Sequence, residues 1–203
     1  MKIHVADDHK LFISGVDSLL QQSNIKVSSY SLNGKQTIEA LIKKEIDVLL
    51  LDISLPLVDG FGVLKFIKNQ NINVKTIVIS AFNGEKFILD SIRYGVKGYI
   101  LKEDIDICLA TAVRNVYHNK EIFSHQIRPL VCEIKEKIEC FETLSKKEKD
   151  IVDLFSKRLN PKEIQQKLDI KSQSTFRTYT ERIRKKLNIL NNAGIAKYLD
   201  ITN

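Results

Sequence analysis

Lys2-Ile3-His4-Val5-Ala6-Asp7-Asp8 and, further on, Asp47-Val48-Leu49-Leu50-Leu51-Asp52 are the two stretches whose reading decides the fold. Each is a short, mostly aliphatic run that stops at a carboxylate. Runs of this length fit strands covered on both faces, as in a parallel sheet. Outward from them the pattern repeats. Candidate strands are Lys2–Ala6, Lys26–Ser31, Asp47–Asp52, Lys75–Ser80 and Gly98–Leu101. Helical periods fall between them at Lys10–Gln22, Gly34–Lys44, Gly60–Asn69 and Gly84–Tyr94, with a fifth at Asp104–His118. Strands alternating with amphipathic helices mark the α/β class. Five such repeats fit a doubly wound, flavodoxin-like (βα)5 parallel sheet of order 2-1-3-4-5, and the fixed hand of the crossovers leaves few other topologies.

At 203 residues the chain exceeds one compact domain and suits two small ones of roughly 100–150 residues or less. With 43% hydrophobic and 28% charged residues it has the composition of a soluble globular protein. Apolar runs such as Val48–Leu51 fall far short of the ~20 residues that cross a bilayer. Charges at Lys2, Asp7 and Asp8 sit where a signal peptide needs its apolar centre. A cytoplasmic protein with no membrane partner is therefore expected. Cys108, Cys132 and Cys140 have no metal-ligand spacing and read as reduced thiols.

The organisation changes at Asn119. Strand signals stop, glycine becomes scarce, and Lys/Glu-rich helical periods take over. Three segments follow: 1–118 as the α/β domain, 119–142 as a linker with a short helix at Ile127–Ile138, and 143–203 as an all-α domain. Its helices are expected at Ser145–Lys157, Asn160–Leu168, Ser172–Leu187 and Asn192–Leu199. Ser145 followed by Glu148 is a capping box, and Asn160-Pro161 is an N-cap with proline at the first helical position. The formal charge of +7 is uneven: residues 1–120 hold 15 Lys+Arg against 13 Asp+Glu, and residues 121–203 hold 17 against 12. Lys171–Leu187 alone has six basic residues and one acid, Glu181, so a polyanion is the expected partner.

In a doubly wound sheet strands 1 and 3 are neighbours, so Asp7, Asp8 and Asp52 meet at the carboxyl edge, where such folds bind ligands. Like charge gathered there calls for a divalent cation, and an all-oxygen site suits Mg²⁺. Ser80 ends strand 4 and Lys102 follows strand 5 at the same edge, where a hydroxyl and an ammonium can hold phosphoryl oxygens on Asp52. Each of these residues alone is ordinarily a loop or capping residue. Five of the right type, gathered at four strand ends, form a specific signal.

Over residues 1–118 the sequence resembles the receiver domain of bacterial response regulators. The match runs through Ala6-Asp7-Asp8-His9, Leu51-Asp52-Ile53-Ser54-Leu55-Pro56, Asp59-Gly60, Ser80-Ala81 and Gly98-Tyr99-Ile100-Leu101-Lys102. The resemblance implies that Asp52 accepts phosphate from a sensor histidine kinase. It also implies that Asp8, Asp52 and the Ser54 carbonyl ligate Mg²⁺ with help from Asp7, and that Ser80 and Lys102 hold the phosphoryl oxygens. Tyr99 would turn inward as Ser80 moves.

Residues Leu144–Asn188 are similar to the tetrahelical helix-turn-helix of the LuxR type, which behind a receiver marks the NarL/FixJ subfamily of response regulators. In Ser172–Leu187, Phe176, Thr180, Ile183 and Leu187 recur at core spacing, leaving the other face for a DNA major groove. By resemblance Arg177, Thr178 and Glu181 face bases, while Ser174, Thr175, Arg182 and Lys185 meet phosphates, with Lys162 a further candidate. The implied protein is a transcription factor, homodimeric at least when phosphorylated, that slowly hydrolyses its own phosphate and turns over no metabolite.

Three positions depart from the pattern. Arg158 stands where glycine usually ends the first helix, which predicts altered capping there; Asp169–Thr175 reads as a turn one residue longer than usual; and Glu181 brings an acid to a basic face. Helix Asn192–Leu199 carries Ile195, Ala196 and Leu199 on one side, either as core or as a dimer surface. A nucleotide-binding enzyme would need a glycine-rich loop after strand 1, where the chain has Asp-Asp-His-Lys instead. The remaining alternative is a receiver-like DNA-binding regulator that acts without phosphorylation.

Overall fold

The computed structural model describes residues 1–198, apart from the side chain of Lys197. They form two compact units, Met1–Arg128 and a second that begins at Pro129. No helix among the described residues is long and apolar enough to cross a membrane.

The first unit is a parallel sheet of β1 (Ile3–Ala6), β2 (Val27–Ser31), β3 (Val48–Asp52), β4 (Lys75–Ser80), β5 (Gly98–Leu101) and β6 (Ile122–Phe123), in the order β2-β1-β3-β4-β5-β6. Helices α1 (Lys10–Gln21), α2 (Gly34–Lys43), α3 (Gly60–Asn69), α4 (Glu85–Arg93) and α5 (Ile105–Tyr117) connect the strands. Alternation along the central strands divides the core between two faces. Ile3, Val5, Val48, Leu50, Ile77, Ile79 and Ile100 pack with α1 and α5. Leu49, Leu51, Val78, Tyr99 and Leu101 are equally buried and alternate with them.

Two local devices fix the carboxyl edge. Asp59 caps α3 by accepting from the Gly62 amide at 2.7 Å. Gly60 lies so close behind β3 that a Cβ there would come within 2.5 Å of the Asp52 carbonyl oxygen. The loop after Asp52 can therefore fold tightly only without a side chain at 60.

The sixth strand has no counterpart in the sequence reading. It is two residues long, too short for a periodic signal, and pairs Ile122 with Gly98 and Phe123 with Tyr99 along the outer edge of β5. The segment read as a linker thus contributes a strand to the first unit, and its helix is longer than Ile127–Ile138: α6 spans Arg128–Glu142, with Pro129 in its first turn.

The second unit continues with α7 (Lys146–Ser156), α8 (Pro161–Lys167), α9 (Gln173–Leu187) and α10 (Asn192–Tyr198). Both expected caps are present as full capping boxes, Ser145 with Glu148 and Asn160 with Glu163. The core gathers Ile151, Val152 and Phe155 of α7, Ile164 of α8, Phe176, Ile183 and Leu187 of α9, and Ile195 of α10.

Arg158 adopts the left-handed conformation (φ 61°). Its amide bonds to the Phe155 carbonyl and the Leu159 amide to the Leu154 carbonyl, the double bonding of a Schellman cap. The altered capping expected from the missing glycine is thus not found: arginine takes up glycine's geometry. Asp169 (φ 50°) closes α8 in the same way, through Asp169 to Gln166 and Ile170 to Gln165. Ile195 and Ala196 belong to the core of this unit. Leu199 lies outside the described residues.

Candidate functional site

The register of the sheet assembles the acid edge. Ala6 of β1 lies beside Leu51 of β3, so Asp7 and Asp52 emerge next to one another. Ser80 of β4 lies beside Leu101 of β5, which brings Lys102 to the same edge. Asp7 is fully buried and Asp52 nearly so. One ammonium serves both: Lys102 Nζ donates to Asp7 Oδ2 at 2.8 Å and to Asp52 Oδ2 at 2.7 Å. Burial alone would push the Lys102 ammonium down, but the hydrogen bonds and charges of Asp52 and Asp7 outweigh it and hold its pKa above the ordinary value. Asp52 Oδ1 accepts from the Ser54 amide at 3.1 Å, and Ser54 itself is exposed.

Asp8 is the outer acid of the group. Its Oδ1 meets His9 Nδ1 at 2.8 Å, and the His9 amide donates to Asp7 Oδ1 at 2.8 Å. Ligand atoms of Asp7, Asp8 and His9 lie within 4.8 Å of one another. With one ammonium against Asp7, Asp8 and Asp52, the edge keeps about two uncompensated negative charges when His9 is neutral. An oxygen-rich, doubly negative edge fits a hard divalent cation.

Ser80 and Tyr99 converge on one backbone residue. Ser80 Oγ accepts from the Phe82 amide at 3.1 Å, and the Tyr99 hydroxyl donates to the Phe82 carbonyl at 2.6 Å. The Tyr99 ring is already fully inside. Burial raises the Tyr99 pKa, a hydrogen bond with Ser80 offsets part of that, and the charge of Asp52 adds to it, so the phenol stays neutral and able to donate.

On α9, Phe176, Thr180, Ile183 and Leu187 are buried, and the Phe176 and Phe155 rings pack at 6.2 Å between centroids. Ser174, Thr175, Arg177, Thr178, Glu181, Arg182 and Lys185 are all exposed. The structure therefore brings the seven candidate contacts to the solvent side of one helix. Ser172 caps α9, and its hydroxyl lies 2.6 Å from that of Ser174. Lys162, on α8, is exposed as well.

Three contributors escaped the sequence reading. His9 braces both acids of the pair that precedes it. Phe12 places its ring under the Lys102 ammonium, 4.4 Å from nitrogen to centroid, an arrangement that favours the cation. Phe82 supplies the backbone atoms that hold Ser80 and Tyr99. His9 was legible from its adjacency to the acids. The other two act through a ring face and a peptide group, which residue type does not disclose.

Residues 3–114 match the family model described as the response regulator receiver domain. The chain is 28% identical over 192 residues to the transcriptional regulatory protein DesR of Bacillus subtilis, covering 94% of this chain and 92% of that one. It is 28% identical over 210 residues to the oxygen regulatory protein NreC of Staphylococcus epidermidis, covering 98% and 96%. Among solved structures, the RcsB response regulator of Salmonella typhimurium superposes with a TM-score of 0.63 at 24% identity, over 98% of this chain and 99% of that one.

Proposed function

The chain belongs to the response regulator receiver family, as a transcription factor of the NarL/FixJ type, and on that premise we propose that Asp52 is its phosphoacceptor and that residues 143–203 bind DNA under its control. The observation that carries this reading is the single ammonium of Lys102 shared by two buried carboxylates, Asp7 and Asp52, at the strand ends. Buried like charges of this kind are costly and seldom serve stability alone. The protein is a regulator, not a metabolic enzyme.

In the proposed reaction an Asp52 carboxylate oxygen attacks the phosphorus of a phosphohistidine on a sensor kinase. The P–N bond breaks, its electron pair stays with the imidazole, and an acyl phosphate forms on Asp52. Lys102 moves its hydrogen bonds from the carboxylates to the phosphoryl oxygens, and the Ser80 hydroxyl donates to another. Asp8, Asp52 and the Ser54 carbonyl would hold Mg²⁺, with Asp7 supporting through water. Bound there, the ion would neutralise charge on the phosphoryl group and the acids. Later attack of water on phosphorus releases phosphate and restores the carboxylate.

Ser80, drawn toward the phosphoryl group, biases the Phe82 loop and the Tyr99 hydroxyl bonded to it, favouring one of two pre-existing conformations. The output is homodimerisation and DNA binding through α9, whose base-facing candidates are Arg177, Thr178 and Glu181. RcsB has been described as dimers bound to DNA, which supports the same partner here. Incubation with Mg²⁺ and acetyl phosphate should add one phosphoryl group to the wild type and none to Asp52→Asn, read by intact mass. Equal modification of both would overturn the assignment of Asp52.

A further inference from the structure

Arg177 and Glu181 stand one turn apart on α9 and are joined: Arg177 Nε donates to Glu181 Oε1 at 2.8 Å. Both side chains project into solvent, 81% and 50% exposed, so their attraction does little for stability. The choice of atoms matters more. A guanidinium carries its donors in a rigid planar fork. Glu181 takes the Nε–H, and the terminal Nη atoms have no hydrogen-bond partner among the described residues. Those terminal donors are what a guanine can receive on its N7 and O6 in the major groove.

Thr178 narrows the choice further. Its hydroxyl donates to the Ser174 carbonyl at 3.0 Å, so toward a base it offers an acceptor or its methyl group. Glu181 can only accept. Of the three base-facing candidates, Arg177 is thus the donor.

We infer that Arg177 and Glu181 form one reading unit, in which Glu181 holds the guanidinium by its Nε–H and aims the terminal fork at a guanine. The acid has a second effect. Phosphate is the most abundant anion beside a helix lying in the groove, and an unrestrained arginine on a flexible stem settles on it readily. Glu181 repels the backbone and keeps Arg177 from contributing affinity without sequence. Its free oxygen can accept from a neighbouring cytosine N4. Glu181 is therefore a positioning residue that determines specificity. This inference rests on the DNA-binding reading of α9.

Selection of duplexes from a randomised pool by full-length protein treated with acetyl phosphate tests it, with wild type, Arg177→Ala, Glu181→Gln and Glu181→Ala compared. Wild type should enrich a guanine at a fixed position that Arg177→Ala no longer selects. Glu181→Gln, which can still accept the Nε–H, should keep that preference. Both Glu181 variants lose the repulsion and should bind the unselected pool more tightly, but only in Glu181→Ala should the preference for that guanine fall, by about tenfold. A merely electrostatic role for the acid would move both Glu181 variants alike. Full guanine preference in Glu181→Ala, or equal loss in Glu181→Gln, would overturn the unit. A wild type that enriches no sequence would instead overturn the DNA-binding reading itself, and the pair with it.

Discussion

The two units place their functional charge in opposite surroundings. In the first, Asp7 and Asp52 are buried beside Lys102, and their positions follow from where strands end in a rigid sheet. In the second, Arg177, Glu181, Arg182 and Lys185 extend into solvent from a single helix whose opposite face is core. The contrast matches the proposed chemistry. A covalent step on a carboxylate needs groups held in place in a partly dehydrated site. A polyanion needs cations that stay hydrated until it arrives. A buried imidazole, His4, makes the first unit sensitive to protons, whereas the second depends on how its helix is held.

Acid should separate the units most strongly. His4, buried in β1, has its ring nitrogens 2.8 Å from Ser29 Oγ and 2.9 Å from Ser31 Oγ. Burial, and secondarily the charge of Lys44, pushes its pKa down to about 4 from an ordinary 6.5. The unfolded chain therefore binds this proton more tightly than the fold does. Stability is complete above pH 6.5 and falls as pH drops toward 4, by about 3 kcal/mol for the full shift.

The second unit contains no histidine. Its Glu148 is buried, which alone would raise its pKa. Hydrogen bonds from Lys186 and Ser145 outweigh that and lower it, so its contribution disappears only at pH values below the ordinary 4.5. Hydrogen exchange at pH 5 should thus accelerate in β1 and β2 but not in α7 and α9, and His4→Asn should remove the difference. Equal loss in both units would break the comparison.

A smaller effect is expected at Lys186, which bridges Glu148 at 2.7 Å and the Thr143 carbonyl at 3.2 Å, tying the last turn of α9 to the start of α7. Lys186→Met leaves the buried carboxylate with its Ser145 cap alone. The cost should be about 1–2 kcal/mol, less than for a fully buried pair because the ammonium is partly solvated. Thermal melting would show it as a lower transition for the second unit, with phosphorylation of Asp52 unchanged.

Smallest, and opposite in sign, is Arg158→Gly. It relieves the left-handed strain of the cap, less the extra freedom glycine brings to the unfolded chain, and should stabilise by about 0.5–1 kcal/mol. No rise in the melting temperature would mean that arginine adopts this geometry without strain.

Legibility followed the same division. Asp7, Asp8, Asp52, Ser80 and Lys102 could be read because each lies at or just past the end of a strand, and strand ends in a parallel sheet share one edge. The core face of α9 was equally clear from the spacing of Phe176, Thr180, Ile183 and Leu187. β6 was not, because two residues carry no period and its pairing depends on room beside Gly98. Residue preference alone misjudged Arg158, since backbone hydrogen bonding can hold a non-glycine residue in the left-handed region. Arg177 and Glu181 were recognised singly, although their i, i+4 spacing already allowed a pair. What the sequence withholds is the direction of long side chains and the use of backbone atoms, as at Phe82.

Under the proposed function, the buried acid of one unit exerts control over the exposed cations of the other. The most direct test of that control is the affinity of full-length protein for a selected duplex, by fluorescence anisotropy, before and after acetyl phosphate with Mg²⁺, for wild type and Asp52→Asn. Phosphorylation should tighten wild-type binding by about tenfold or more, in the range of ordinary coupling energies, and leave Asp52→Asn unchanged. Equal affinity of wild type in both conditions would contradict the account and point to a DNA-binding regulator that acts without phosphorylation.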